Sequence, residues 1–273
     1  MSSTTGDFMP TRGPALLEGK VAIVSGLGPG MGRDISLALA AHGADIAMGA
    51  RRSTLMEKVA RDIEAMGRRA ICVVTDITDR GACEELARRC KDELGRVDIL
   101  VNNAFSDGNY KTFAESDLDE WRATFDVNFF GTLQLTQAVL PYLLEQDDSR
   151  IIMINTMSIQ RIEERFGAYA ASKAALATAT KTLARELGPK GVRVNAIHPG
   201  YIWGPSVEWY FNHLASEQGR TFDEVYADVA NETCLRYIPS SAEIAGAVVF
   251  FASPLSKAIT GQALNVNAGH WMS

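Results

Sequence analysis

Val21-Ala22-Ile23-Val24-Ser25-Gly26-Leu27-Gly28-Pro29-Gly30-Met31-Gly32 is the stretch on which the fold turns. A short apolar run reads as a strand, a glycine-rich loop follows at once, and Met31 to Ala41 reads as a helix ended by Gly43. Glycines let a backbone turn tightly and approach a pyrophosphate, while the helix N-terminus adds N–H donors and the positive end of its dipole. Many glycine-rich stretches are simple turns. A strand before and a helix after are the context that marks a dinucleotide loop. Its candidate contacts are Ser25, Gly26, Gly28, Gly30, Met31 and Gly32.

The same alternation continues along the chain. Strand runs fall at Asp45 to Gly49, Ala70 to Thr75, Val97 to Val101, Arg150 to Asn155, Val192 to Ile197 and Ala263 to Val266. Helical runs lie between them at Thr54 to Met66, Arg80 to Leu94 and Leu118 to Leu144, with another beginning around Tyr169. Such alternation predicts an α/β fold, a doubly wound Rossmann-type parallel sheet with helices on both faces. Several strands are nearly all apolar, as burial on both faces requires. The 273 residues suit one domain. Residues 17–273 are expected to form it, after a polar leader at 1–16 that is flexible and has no apolar core of a signal peptide.

No apolar run reaches the roughly 18 residues of a membrane span. A net charge of −6 argues against a nucleic-acid surface. The four cysteines show no metal-ligand spacing, so no metal is expected, and reduced buried thiols fit a cytoplasmic enzyme. The dinucleotide type is read about 20 residues beyond the loop, where an acidic residue would bond a ribose 2′-hydroxyl. This chain has Gly49-Ala50-Arg51-Arg52 there. Two guanidiniums and no carboxylate favour NADP(H) over NAD(H).

Tyr169-Ala170-Ala171-Ser172-Lys173 places a phenol and an ammonium four residues apart, on one face if the run is helical. A cation beside tyrosine favours phenolate and lowers a pKa ordinarily near ~10. Such a tyrosine can exchange a proton with a carbonyl or alcohol oxygen.

Together these residues resemble the short-chain dehydrogenase/reductase family, of the compact single-domain type. The resemblance spans Leu17 to Gly269 and rests on ordered motifs: the glycine loop, Asp76, Asn102-Asn103-Ala104, the Tyr-Lys pair and Pro199-Gly200. It implies that Asp76, with Ile77 beside it, holds the adenine edge and that Asn102 and Ala104 line the adenosine-ribose side. It makes Asn128 the asparagine whose helix distortion seats a water leading from the lysine. Tyr169 becomes the acid in reduction and the base in oxidation. Lys173 binds the nicotinamide ribose and lowers the tyrosine's pKa. Pro199, Gly200 and Ile202 pack on the nicotinamide. Homotetramers or dimers built on the two long helices are also implied.

The departures are specific. The usual catalytic serine is Thr156, with Ser158 as an alternative donor. Asn-Asn-Ala-Gly becomes Asn102-Asn103-Ala104-Phe105, which puts an aromatic ring near the cofactor, at the pocket mouth or in the neighbouring core. A threonine that often follows the proline is Gly204, and Asp-Gly-Gly is Asn267-Ala268-Gly269. A lid is expected at about 201–240, rich in aromatic residues that either line a large apolar pocket or pack the lid itself. His213 is read as a polar lid residue, and Arg161, Glu163, Glu164 and Arg165 as a solvated face. The expected activity is interconversion of a bulky apolar ketone and its secondary alcohol, steroid-, terpenoid- or acyl-like. The alternative from another class is a cofactor-binding sensor or scaffold that has lost catalysis.

Overall fold

The computed structural model describes residues 15–272. Most of the proposed leader therefore lies outside the described residues, but Leu16 at its end packs against the core. Among the described residues, seven strands form one parallel sheet in the order β3-β2-β1-β4-β5-β6-β7. They are β1 (Val21–Ser25), β2 (Asp45–Ala50), β3 (Ala70–Val74), β4 (Ile99–Asn102), β5 (Ser149–Ile154), β6 (Val192–Pro199) and β7 (Ala263–Val266).

Alternate side chains of each strand feed two cores. Ala22 and Val24 of β1 with Ile99 and Val101 of β4 meet α1 (Met31–Ala41), α2 (Ser53–Ala65) and α9 (Ser241–Ala252). Val21 and Ile23 with Leu100 point the other way, toward α3 (Arg80–Leu94), α5 (Thr132–Leu143) and α6 (Gly167–Leu187). That two-sided burial is why the strands read as unbroken apolar runs. Cys83 and Cys90 are buried on one face of α3, whereas Cys234 is exposed, against the expectation for that thiol.

The run Leu118 to Leu144 is α4 (Leu118–Phe125) and α5 joined by a π-helical turn at Asp126–Gly131. A π turn widens the helix by one residue per turn and marks functional positions in many helices; here it carries Asn128. Beyond β6 lie α7 (Pro205–Gln218) and α8 (Phe222–Glu232), which form the lid. They enclose their own small core of Phe211, Ala215, Val225 and Ile238, with Trp203, Phe222 and Tyr226 packed against it.

The sheet reverses its winding between β1 and β4. Register sets Ser25 beside both Gly49 and Asn102, so the glycine loop and the ends of β2 and β4 emerge together at the carboxyl edge. That switch point is where an open α/β sheet binds its ligand.

At the opposite edge Asp98 is fully buried. It accepts from the Val21 amide at 3.0 Å, from Lys20 at 3.0 Å and from Arg96 at 2.7 Å. Burial alone would raise its pKa, but these donors hold the carboxyl below its usual range. Its contribution to stability is therefore present above the unfolded carboxylate pKa and is lost as pH falls through the lower folded value. Asp98→Ala, which leaves the buried Val21 amide without its acceptor and two half-exposed cations without their partner, is expected to cost about 1–3 kcal/mol in urea unfolding at pH 7. The deficit should shrink in the acid range where the native carboxyl protonates.

Candidate active site

Two of the loop glycines serve packing and two leave room. A Cβ on Gly26, whose φ is +79°, would fall 2.3 Å from the Ala104 Cα, and one on Gly32 would fall 2.3 Å from the Gly26 carbonyl oxygen. Gly28 and Gly30 have nothing within 4 Å of such an atom. The chain there faces open space, and Gly30 begins α1 with no side chain capping the helix N–H groups. Uncapped donors above a side-chain-free loop suit a pyrophosphate, so the residues fit a dinucleotide. Met31 is partly exposed at the first helical position.

Other predicted contacts divide. Ser25 is buried, its hydroxyl accepting from the Asn103 amide at 3.3 Å, so it ties β1 to β4. Asn102 turns its carboxamide inward, to Thr136 Oγ1 at 2.9 Å and Met153 Sδ at 3.3 Å. The Asn102 side chain therefore faces the core, so a ribose-lining role for this residue would run through its backbone. Its neighbour Asn103, passed over in the sequence, braces the loop by donating to the Gly26 carbonyl at 2.6 Å. Strand alternation is the signal that separates the two. Ala104 is partly exposed beside Gly26.

Asp76 is exposed at the end of β3, with Ile77 buried next to it. The amide and hydroxyl of Thr78, with Arg51 at longer range, hold the Asp76 carboxyl below its usual value. Arg51 and Arg52 are both exposed, and neither makes an ion pair among the described residues. Pro199 ends β6, and a Cβ on Gly200 would strike Asn267 at 2.8 Å. Ile202 packs against the first core.

Tyr169 and Lys173 lie in the first turns of α6. Lys173 is 2% exposed and donates to the Ile154 carbonyl at 2.8 Å. Asn155 at the end of β5 donates to the Lys173 carbonyl at 3.1 Å, strapping the helix to the strand. The fully buried Asn128 donates to Ser172 Oγ at 3.0 Å and to the Ser106 carbonyl at 2.8 Å, and accepts from the Ser106 amide at 2.7 Å. The π turn thereby meets α6 and the loop after β4 at one carboxamide.

Burial pushes the Tyr169 phenol up to about 12, only partly opposed by a hydrogen bond with Thr156. Burial pushes the Lys173 ammonium down to about 7. Burial is the largest influence on the phenol, and the Lys173 ammonium makes its own bond elsewhere. The ammonium is engaged by Ile154, and desolvation of the phenol prevails. Thr156, the hydroxyl that partly offsets the rise at Tyr169, has its Oγ1 donating to Ser158 Oγ at 3.1 Å and accepting from the Ser158 amide at 3.1 Å.

Phe105 is 58% exposed rather than packed in the core, and its ring centroid lies 6.4 Å from that of Tyr169. Among the lid aromatics, Phe211 is fully buried, and Trp203 contacts Phe222 and Tyr226 at 6.0 and 5.2 Å. Those rings pack the lid itself. Trp209 is exposed and stacks on His213, which faces Glu217 at 3.4 Å on the surface of α7.

The charged segment after Thr156 is not merely solvated. Arg161 pairs with Glu163 at 3.1 Å, with Glu232 of α8 at 2.8 Å and with His270 Nε2 at 2.8 Å. His270 Nε2 lies 2.9 Å from Glu232, and Tyr201 stacks on its ring at 5.9 Å. This cluster latches the site's wall to the lid and the C-terminal segment. Among the described residues no group of acidic, histidine and cysteine side chains could hold a metal, and no helix is long and apolar enough to cross a membrane.

Lys173 also makes a pH prediction. Its folded pKa lies below the unfolded one, so the buried ammonium destabilises the fold fully below about pH 7. The penalty is relieved as pH rises from there toward the unfolded lysine value. Lys173→Met is expected to stabilise the ligand-free protein by about 1–3 kcal/mol at pH 6. Urea titrations at pH 6, 8 and 10 should show the gain shrinking with pH.

Residues 26–270 match a family model described as enoyl-(acyl carrier protein) reductase. The chain is 32% identical to the 3-oxoacyl-(acyl carrier protein) reductase of Thermotoga maritima, over 93% of this chain and 98% of the other. It superimposes on a carveol dehydrogenase from Mycobacterium avium in complex with NAD, with TM-score 0.87 and 25% identity, covering 93% of this chain and 98% of that one. A short-chain type dehydrogenase/reductase from Mycobacterium marinum aligns with TM-score 0.81 and 27% identity over 95% and 98%. With a glycine loop that fits a dinucleotide and a Tyr-Lys pair at the same sheet edge, the chain belongs to the short-chain dehydrogenase/reductase family of nicotinamide-dependent oxidoreductases, acting on CH–OH and keto groups.

Proposed function

We propose that this oxidoreductase interconverts a bulky apolar ketone and its secondary alcohol with NADP(H), in the cytoplasm and as a homo-oligomer. The observation that carries the reading is the buried Lys173, bonded to the Ile154 carbonyl one helical turn beyond Tyr169. It sits at the sheet edge that also carries the side-chain-free glycine loop. The nicotinamide, when bound, supplies the hydride chemistry. The protein positions the substrate and handles the proton.

With its pKa pushed up to about 12, Tyr169 keeps its proton at neutral pH and is the acid that delivers it to a carbonyl oxygen. Thr156 orients the same oxygen. Lys173, brought down to about 7, exchanges protons in the working range and contacts the nicotinamide ribose. Asn128 opens the route onward, since its carboxamide touches Ser172 in the lysine's own turn. Pro199, Gly200 and Ile202 back the nicotinamide, and Asp76, Ile77 and Ala104 flank the adenosine. Arg51 and Arg52, which follow β2 and make no ion pair among the described residues, suit the 2′-phosphate that separates NADP(H) from NAD(H). The carveol dehydrogenase, which holds NAD in its structure, supports a cyclic apolar substrate by its name. The oligomer would use the α4 face, where Leu118, Trp121, Phe125 and Phe130 line a surface cavity of 330 Å³.

The test is NADPH and NADH oxidation with a panel of bulky ketones. NADPH turnover is expected, falling about 10²–10⁴-fold in Tyr169→Phe, the range for a lost general acid. Arg51→Ala together with Arg52→Ala should raise the KM for NADPH far more than that for NADH. A wild type that prefers NADH would overturn the cofactor assignment, and tight cofactor binding without turnover would point to a sensor.

A further inference from the structure

Four rings run in sequence around the reacting hydroxyl. Phe105 meets Tyr169 edge to face at 6.4 Å and 65°, Tyr169 meets Phe166 at 6.3 Å and 68°, and Phe166 meets Tyr110 at 5.1 Å and 83°. None of them belongs to the lid's core, which has absorbed Trp203, Phe211, Phe222 and Tyr226.

Their placement is over-determined. Phe105 follows Ala104, whose backbone is pressed against Gly26 too closely to admit a side chain there. That contact fixes the backbone from which the Phe105 ring projects, and the ring is 58% exposed. Tyr110 donates to Asp107 Oδ2 at 2.6 Å. Tyr110 at φ 53° and Arg165 at φ 67° are both non-glycine residues in the left-handed region, one on each loop that carries the collar. Backbone held in that region persists only where its surroundings enforce it, and it gathers at ligand clamps.

We propose that Phe105, with Phe166 beside it, determines specificity, admitting ring-bearing ketones and secondary alcohols to Tyr169 in preference to open-chain ones. This rests on the ketone-reductase reading given above. Rings inclined 65° and 68° to the phenol offer faces and edges at once. A flat or chair-shaped ring can meet both, through stacking and edge contacts that an open chain makes only one methylene at a time. A glycine at position 105 would leave that side of the phenol unwalled.

The experiment compares kcat/KM for decalone and decan-2-one, ketones with equal carbon counts, in wild type, Phe105→Leu and Phe166→Leu. NADPH affinity is read alongside by fluorescence. Leucine keeps an apolar side chain and removes the ring. The expected result is wild-type preference for decalone, with the decalone-to-decanone ratio falling about tenfold in each variant and the NADPH dissociation constant within about twofold of wild type. A ratio that stays within about twofold in both variants overturns the proposal, as does a fall that tracks weakened NADPH binding. A wild type that reduces decan-2-one and ignores decalone overturns ring selection while leaving the ketone-reductase reading in place. A wild type inert to both, with either nicotinamide, removes that reading and the proposal together.

Discussion

The ammonium of Lys173 points into the carboxyl end of the sheet and donates to the carbonyl of Ile154. Asn155, the next residue, donates back to the Lys173 carbonyl. Two bonds of opposite sense between one strand end and one helical turn leave α6 little freedom to rotate or slide. Everything reactive hangs from that strap. Tyr169 faces Thr156 because it lies one turn before the anchored residue, and Ser172, beside it in sequence, meets Asn128. The cost is desolvation of a cation, visible in how far its proton affinity has dropped. Stability is given up here to hold a geometry.

The glycine loop shows the complementary device, space held open by the absence of side chains. Gly26 and Gly32 allow the turn to fold against β4 and against itself. A Cβ on Gly28 or Gly30 would meet no atom within 4 Å among the described residues. A substitution at either member of the first pair would displace backbone, while one at the second pair would first meet the ligand.

Much of this could be read before any coordinates were known. The strands, the loop and the Tyr-Lys pair each carry a local signature of period, glycine spacing or helical register. What could not be read depended on where side chains point in three dimensions. Asn102 and Asn103 are chemically identical, and only the alternation of β4 sends one to the core and the other to the loop. Lid aromatics look alike in a list, yet Phe211 is buried and Trp209 is exposed. The segment α9 escaped because its face is apolar nearly all round, although Ser240 and Glu243 form a capping box at its start. Adjacency of Tyr169 and Lys173 in the helix likewise says nothing of the Ile154 carbonyl that the ammonium bonds.

The contact at His270 has a consequence for how the site is held together. A single ring nitrogen stands near both Arg161 and Glu232. It can accept from the guanidinium or donate to the carboxylate, and it cannot do both at once. Arg161 and Glu232 are also bonded directly. Whichever role the ring takes, the triangle keeps two of its three sides, and losing any one partner leaves the other two joined. Wall, lid and tail are thus held by redundant contacts, so that removing one partner loosens the latch without undoing it.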